Sequence, residues 1–331
     1  MSGLRKLSLS LLFLAAFTVL TSCGSAHDSG EHYFFITANR QVPYWETATA
    51  GFYKASDDLK VHTTVSGPQN YDPKAEKEAL DDAVKQQASG ILIVVTDTAL
   101  LQDSINKAIE AGIPVVTLDS DAPASKRLFF VGTNNYTVGV AGGKRLVKEL
   151  NGKGNAVVFT MPNQPNLQDR LRGYHDAIAG TGVKITEEID IQGDPRIAFD
   201  KTGEILGKRK DQVQAFVCLE AQAGKEVAEV LDRYHFKDKV VLAMDTDPET
   251  LQWIQKDGIA ATIAQKPYTM AFVGLQMLDT LHHHKPASLD SDWLKDSFAP
   301  VPSFVDTGSA LIDKSNVSSF LQAKQSATSG H

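Results

Sequence analysis

The chain alternates short apolar runs rich in β-branched residues with longer stretches of helical periodicity, and does so twice, which narrows the folds open to it more than any other feature. In the first round, strands are expected at His32 to Thr37, Val61 to Val65, Gly90 to Val95, Pro114 to Leu118 and Leu128 to Val131. Helices are expected at Trp45 to Leu59, Pro73 to Gln87, Ala99 to Glu110 and Asn135 to Leu150. After Gly152-Lys153-Gly154 the pattern restarts, with strands at Ala156 to Thr160, Lys184 to Asp190, Gln214 to Leu219, Val240 to Ala243 and Ala260 to Ile263. The helices of this round are Leu167 to Ala179, Ile197 to Lys208, Gly224 to Tyr234, Glu249 to Lys256 and Thr269 to His282. Strands that alternate with helices connect through right-handed βαβ crossovers into parallel sheets. The predicted class is therefore α/β, built as two successive halves of similar construction.

The N-terminal segment stands apart from this pattern. Arg5 and Lys6 precede the apolar run Leu7 to Leu20, which is short for a bilayer span and is placed as a secretory signal would be. It ends in Leu20-Thr21-Ser22-Cys23, which resembles the bacterial lipobox, where the cysteine becomes the lipidated first residue of the mature protein. Residues 1–23 are expected to be a lipoprotein signal peptide and residues 24–31, polar and glycine-containing, a tether. The other cysteine, Cys218, sits in an apolar strand and has no partner for an intramolecular disulfide. With a formal net charge of −7 and no long basic run, nucleic acid is not an expected partner.

Ligands of open parallel sheets bind just beyond the carboxyl ends of strands. Polar residues at those ends are therefore the candidates for binding. In Ile113 to Pro123 an apolar run stops at Asp119-Ser120-Asp121, and Asp119 is the leading candidate carboxylate, with Asp121 as readily a turn residue. Asp245 follows Val240 to Met244, where a turn through Asp245-Thr246-Asp247-Pro248 competes with binding, and Gln265 follows Ala261 to Ala264. Arg170 and Arg172 open the helix Leu167 to Ala179. Tyr44 and Trp45, held behind Pro43 at a helix start, can supply aromatic plates, or can simply pack in the core.

Four stretches together carry a resemblance: Val42 to Trp45, Ile113 to Pro123, Asp169 to Gly173 and Ala261 to Tyr268. From about Tyr33 to Leu321 the chain resembles the periplasmic sugar-binding proteins of the ribose and galactose type, the substrate-binding components of bacterial ABC transporters. The resemblance implies two Rossmann-like lobes with parallel sheets, joined by three hinge crossings, with the ligand in the cleft between them. The N-terminal lobe would comprise residues 32–132 plus 266–305 and the C-terminal lobe 133–265 plus 306–325, with 326–331 a disordered tail. Gly152 to Gly154 is then a turn within the second lobe, not a domain boundary.

The resemblance also implies a binding set of Asn39, Tyr44, Trp45, Asp119, Arg170, Glu220, Asp245 and Gln265, with Arg170 offering its fork to ligand hydroxyls or to Asp119 across the cleft. Several positions depart from the family pattern. Val42 rather than asparagine precedes Pro43, with Asn39 nearby; Leu219 and Glu220 stand where ribose-type proteins have an asparagine; and Ser120 replaces an arginine. Ribose itself is therefore not the expected ligand, whereas a monosaccharide or similar polyhydroxylated molecule is. Asp194 and Arg196 lie near a further family contact position.

The implied protein is a monomer on the periplasmic side of a bacterial membrane, lipid-anchored, partnered by an ABC transporter permease and using no cofactor. A ligand-sensing receptor partnering a chemoreceptor or histidine kinase is the alternative, and a sugar-modifying enzyme built on Asp119 and Asp121 a distant third. Ala141-Gly142-Gly143-Lys144 lacks the spacing of a phosphate loop and reads as a helix interior packed against the sheet. His282 to His284, consecutive at a helix end, point in different directions, so no metal is expected there.

Overall fold

The computed structural model describes residues 27–329 apart from 29, 287, 291–294 and 297. The lipobox-like segment and Cys23 lie outside them. The first sheet takes β1 (His32–Ile36), β2 (His62–Ser66), β3 (Gly90–Ile93), β4 (Val115–Leu118) and β5 (Phe130–Gly132), plus the late strand β11 (Phe304–Asp306). Its order is β11-β5-β4-β3-β1-β2, all parallel. The second sheet takes β6 (Lys153–Thr160), β7 (Gly182–Asp190), β8 (Ala215–Cys218), β9 (Val240–Met244), β10 (Ala261–Ala264) and β12 (Ala310–Asp313). Its order is β12-β10-β9-β8-β6-β7, parallel except for β12, which runs antiparallel to β10. Each round of alternation in the sequence thus supplies five strands of one sheet, the sixth, β11 or β12, coming from the C-terminal segment, and the α/β class is as predicted.

Strands β3 and β4 are buried at every position, because helices cover both faces of a parallel sheet. The helices begin where local chemistry sets them. Helix α1 (Pro43–Leu59) opens on a proline, whose missing N–H is not needed in a first turn, and stops at Lys60 in the left-handed conformation, φ 59°. Helix α2 (Pro73–Lys85) is capped by Asp72, which accepts from the N–H groups of Lys74 and Ala75. Helix α3 (Thr98–Glu110) is capped by Asp97, which accepts from the Leu100 N–H at 3.1 Å. Each sheet with its helices encloses its own apolar core, one built around Phe35, Phe52 and Leu92, the other around Phe159, Phe216 and Val217.

Chain order and sheet membership diverge after the first round. Helix α4 (Asn135–Glu149) leaves β5 and packs on α5 (Pro165–Ile178) of the second half. Gly152 and Gly154, both at positive φ, then turn the chain from α4 into β6. Helix α6 (Pro195–Arg209), α7 (Ala223–Arg233) and α8 (Pro248–Gln255) complete the second half. Helix α9 (Pro267–His283) returns to lie against α1, β3, β4 and β5 of the first. Three backbone passages therefore join the halves, after β5, after β10 and between β11 and β12.

Several expectations need correction. The strand expected at Leu128 to Val131 starts two residues later, at Phe130. The Ala141 to Lys144 segment is a helix interior, but it packs on a helix and not on the sheet: a Cβ on Gly142 would lie 2.1 Å from the Tyr174 hydroxyl, and one on Gly143 2.6 Å from Ala177 Cβ. The tail expected from 326 is helical as far as Ser329, within α10 (Val317–Ser329), because neither glycine nor proline interrupts the run before Gly330. Among the described residues no helix is long and apolar enough to cross a membrane.

Candidate ligand-binding site

The carboxyl ends of the two sheets face each other across a pocket that is partly open to solvent. All eight residues expected to bind, Asn39, Tyr44, Trp45, Asp119, Arg170, Glu220, Asp245 and Gln265, line it. The first half supplies Asn39 after β1, the α1 start with Tyr44 and Trp45, and Asp119 after β4. The second supplies Arg170 on α5, Glu220 after β8, Asp245 after β9 and Gln265 after β10. This is the strand-end geometry from which parallel sheets bind ligands.

At Asp119 a hydrogen bond joins the two halves. Its Oδ1 accepts from the Tyr44 hydroxyl at 2.5 Å and its Oδ2 from Asn166 Nδ2 of α5 at 3.0 Å. Burial pushes its carboxyl up, against the opposing pull of the Arg170 charge and the hydrogen bonds from Tyr44 and Asn166. The Tyr44 and Trp45 rings meet edge to face, centroids 4.8 Å apart. Both rings are buried, so they form part of the core at the α1 start and also a wall of the pocket.

Of the two roles expected for Arg170, a hydrogen bond to Asp119 is not formed, although Arg170 does line the pocket. Three of its five N–H groups are used within the second half: Nε donates to Asn135 Oδ1 at 2.8 Å, and one terminal nitrogen to the Leu219 carbonyl at 2.7 Å. The other donates to Gln265 Oε1 at 2.9 Å. Gln265 in turn donates to Asp245 Oδ1 at 3.0 Å. Arg170 is only 2 % exposed, so it acts on the carboxylates through its field and orients Gln265 for Asp245. Burial raises Asp245 to about 7, with Arg170 and Gln265 opposing.

Two of the residues expected to bind hold local backbone in place. The Glu220 oxygens accept from the N–H groups of Gln222 at 2.8 Å and Ala223 at 2.6 Å, capping α7, and burial raises this carboxyl too. Asn39 closes a turn by accepting from the Gln41 N–H at 2.9 Å. Arg172 is on the surface, paired with Asp169 at 3.0 Å, and Asp194 and Arg196 pair with each other at 2.6 Å, capping α6; none of these lines the pocket. Asp121 is held by Arg127, whose Nε donates to it at 2.6 Å, and so braces the loop between β4 and β5.

Four polar lining residues were not anticipated: Tyr71, Gln164, Asn166 and Gln222. Gln164 and Asn166 flank Pro165 at the α5 start, and a polar pair around a first-turn proline is the signal that would have marked them. Tyr71 sits in the loop before α2 and reaches Gly193 of the second half, where a Cβ would come within 2.3 Å of its own Cβ. That contact spans two distant loops and leaves no local trace.

The family model described as a periplasmic binding protein domain matches residues 33–286. Among solved structures, the arabinose binding protein AraP of Geobacillus stearothermophilus is 32% identical, with TM-score 0.72, covering 88% of this chain and 99% of that one. GanP, a glucose-galactose binding protein of the same organism, is 28% identical, with TM-score 0.79, covering 86% and 98%. The fructose import binding protein FruE of Bifidobacterium longum is 25% identical over 268 residues, 76% of this chain and 82% of its own length. With a matched family model over most of its length, a two-sheet architecture and a pocket between the strand ends, this chain belongs to the periplasmic binding protein domain family.

Proposed function

We propose that this protein captures a monosaccharide or similar polyhydroxylated molecule between its two halves and delivers it to the permease of an ABC transporter. The observation that carries this reading is the composition of the pocket. Carboxylates and carboxamides, among them Asp119, Asp245, Asn166 and Gln265, stand beside the aromatic walls of Tyr44, Trp45 and Tyr71. A sugar ring offers hydroxyls that both donate and accept, and faces of C–H bonds; planar acceptor groups and aromatic plates match the two kinds of surface. Solved relatives named for arabinose and for glucose and galactose support the same ligand class.

The lobes are taken as residues 32–132 plus 266–305 and 133–265 plus 306–325, moving about the three passages between the sheets. Ligand stabilises the arrangement in which Asn166 and Asp119 face each other, because only there do groups from both halves reach it at once. The protein is proposed to be a monomer, exported and held to the membrane by a lipid on Cys23, with residues 24–31 as tether. Calorimetric titration with a panel of pentoses, hexoses and polyols tests the binding. Heat with at least one sugar is expected, and none with any member would overturn the reading. Cys23→Ser is expected to move the protein from the membrane to the soluble fraction.

A further inference from the structure

At the opposite end of the first half, His27, Glu31, Asp279 and His283 converge, each with one ligand atom, and these four atoms lie within 4.8 Å of one another. Glu31 immediately precedes β1, whereas the pocket lies beyond the other end of that strand. Asp279 and His283 are one turn apart near the end of α9, whose start adjoins the pocket. A helix of 17 residues places the two ends about 25 Å apart, so the cluster is separate from the binding site.

Three of the spacings are close to those of a coordination shell, and the remaining pairs lie within 4.8 Å. His27 Nε2 is 2.9 Å from Asp279 Oδ1, and His283 Nε2 is 3.2 Å from Glu31 Oε2 and 3.5 Å from Asp279 Oδ1. Ligand atoms placed tetrahedrally about 2.0–2.1 Å from a zinc ion are about 3.3 Å from each other. Glu31 is only 5 % exposed; its Oε1 accepts from the Asp28 N–H at 2.6 Å, while its Oε2 is buried, makes no hydrogen bond and faces His283. The Tyr33 hydroxyl donates to Asp279 Oδ1 at 3.2 Å, the kind of outer contact that orients a ligating carboxylate. Neighbouring His282 turns away, its Nδ1 3.1 Å from the Ser89 carbonyl. Only one histidine of the His282 to His284 triplet therefore takes part, and two of its companions, His27 and Glu31, come from the other end of the chain.

We propose that His27, Glu31, Asp279 and His283 bind a divalent transition-metal ion of the zinc class. Two imidazoles with two carboxylates suit zinc better than the all-oxygen shells of calcium or magnesium. The ion would staple the segment before β1 to the last two turns of α9, fixing where the folded body begins. Because the site is a helix length from the pocket, it would add stability without changing sugar binding.

The test uses the intact chain, prepared without a polyhistidine tag, stripped with a chelator and titrated with Zn²⁺ in competition with a chromophoric chelator. One equivalent is expected to bind in the micromolar range or tighter, with a rise in melting temperature. His27→Ala and His283→Ala are each expected to weaken uptake at least tenfold and to abolish that rise, while His284→Ala leaves both intact. His27 precedes the first strand and lies outside both cores, so its replacement leaves the fold in place, which circular dichroism confirms. Equal uptake by parent and by the His27→Ala, His283→Ala double variant would overturn the proposal, as would preferential binding of Ca²⁺ or Mg²⁺; the cluster would then be a set of ion pairs.

Discussion

Asp119 and Asp245 occupy the same place in their two sheets. Each is the first residue past a parallel strand, each is in the left-handed conformation, φ 63° and 65°, and each is 5 % exposed. The Asp119 N–H donates to the Val131 carbonyl of β5 at 3.0 Å, and the Asp245 N–H to the Ile263 carbonyl of β10 at 2.9 Å. In each sheet the neighbouring strand that receives this last bond is the one from which the chain next crosses to the other half. Positive φ is uncommon outside glycine, and aspartate is among the residues that tolerate it. A short acidic side chain therefore ends the strand and places a carboxylate at the cleft in one step.

Asp119→Asn separates these two duties, since asparagine tolerates the same backbone conformation and removes only the charge and half the acceptor capacity. Sugar affinity is expected to fall about 10–100-fold, equivalent to roughly 1.4–2.7 kcal/mol, for loss of charge-assisted hydrogen bonds. The melting temperature should move little. Calorimetry with the best sugar of the panel checks this, and unchanged affinity would remove Asp119 from the site.

Asp245 predicts a pH dependence. Its carboxyl is raised from 3.8 to about 7 in the fold, so between those values the folded protein holds a proton that the unfolded chain has lost. Stability of the ligand-free protein therefore falls as pH rises through this window and levels off above it. Raised Asp119 and Glu220 act in the same direction. Asp245→Asn should flatten part of the slope, giving a variant that gains on the parent at pH 8 relative to pH 4.5. Urea unfolding at the two pH values measures it, and identical slopes would contradict the assignment.

Arg170→Ala should be the most damaging polar substitution in the second half. It strands the Leu219 carbonyl and the side-chain oxygens of Asn135 and Gln265, and it opens a cavity. A loss of about 3–5 kcal/mol is expected in urea unfolding. Arg172→Ala, two residues away but with its side chain in solvent, should change stability by less than about 0.5 kcal/mol.

The α4–α5 crossing supports Arg170 from behind. A Cβ on Gly139 would lie 2.0 Å from the Arg170 carbonyl oxygen, and one on Gly173 2.3 Å from that of Tyr136. Gly139→Ala should force the helices apart and cost about 1–3 kcal/mol, with a loss of sugar affinity that the distance from the pocket alone would not explain. Thermal melts and the same calorimetric titration follow both effects.

Much of this was legible in the chain itself. The alternation of β-branched runs with amphipathic stretches determined the α/β class, because the two periodicities follow from backbone geometry and from which face must be buried. Strand-end polar residues such as Asp119, Asp245 and Gln265 were legible for the same reason: a parallel sheet directs its carboxyl ends at its ligand. What those side chains bond to was not. Arg170 carries the same sequence signal whether it bonds to Asp119 or to Leu219 and Gln265, and only packing of α5 against α4 decides between them. Asn166 opposite Asp119, Tyr71 against Gly193, and His27 beside His283 are pairs brought together by the return of the chain between halves or by the docking of α9. Their partners lie far away in sequence, where no local periodicity records them.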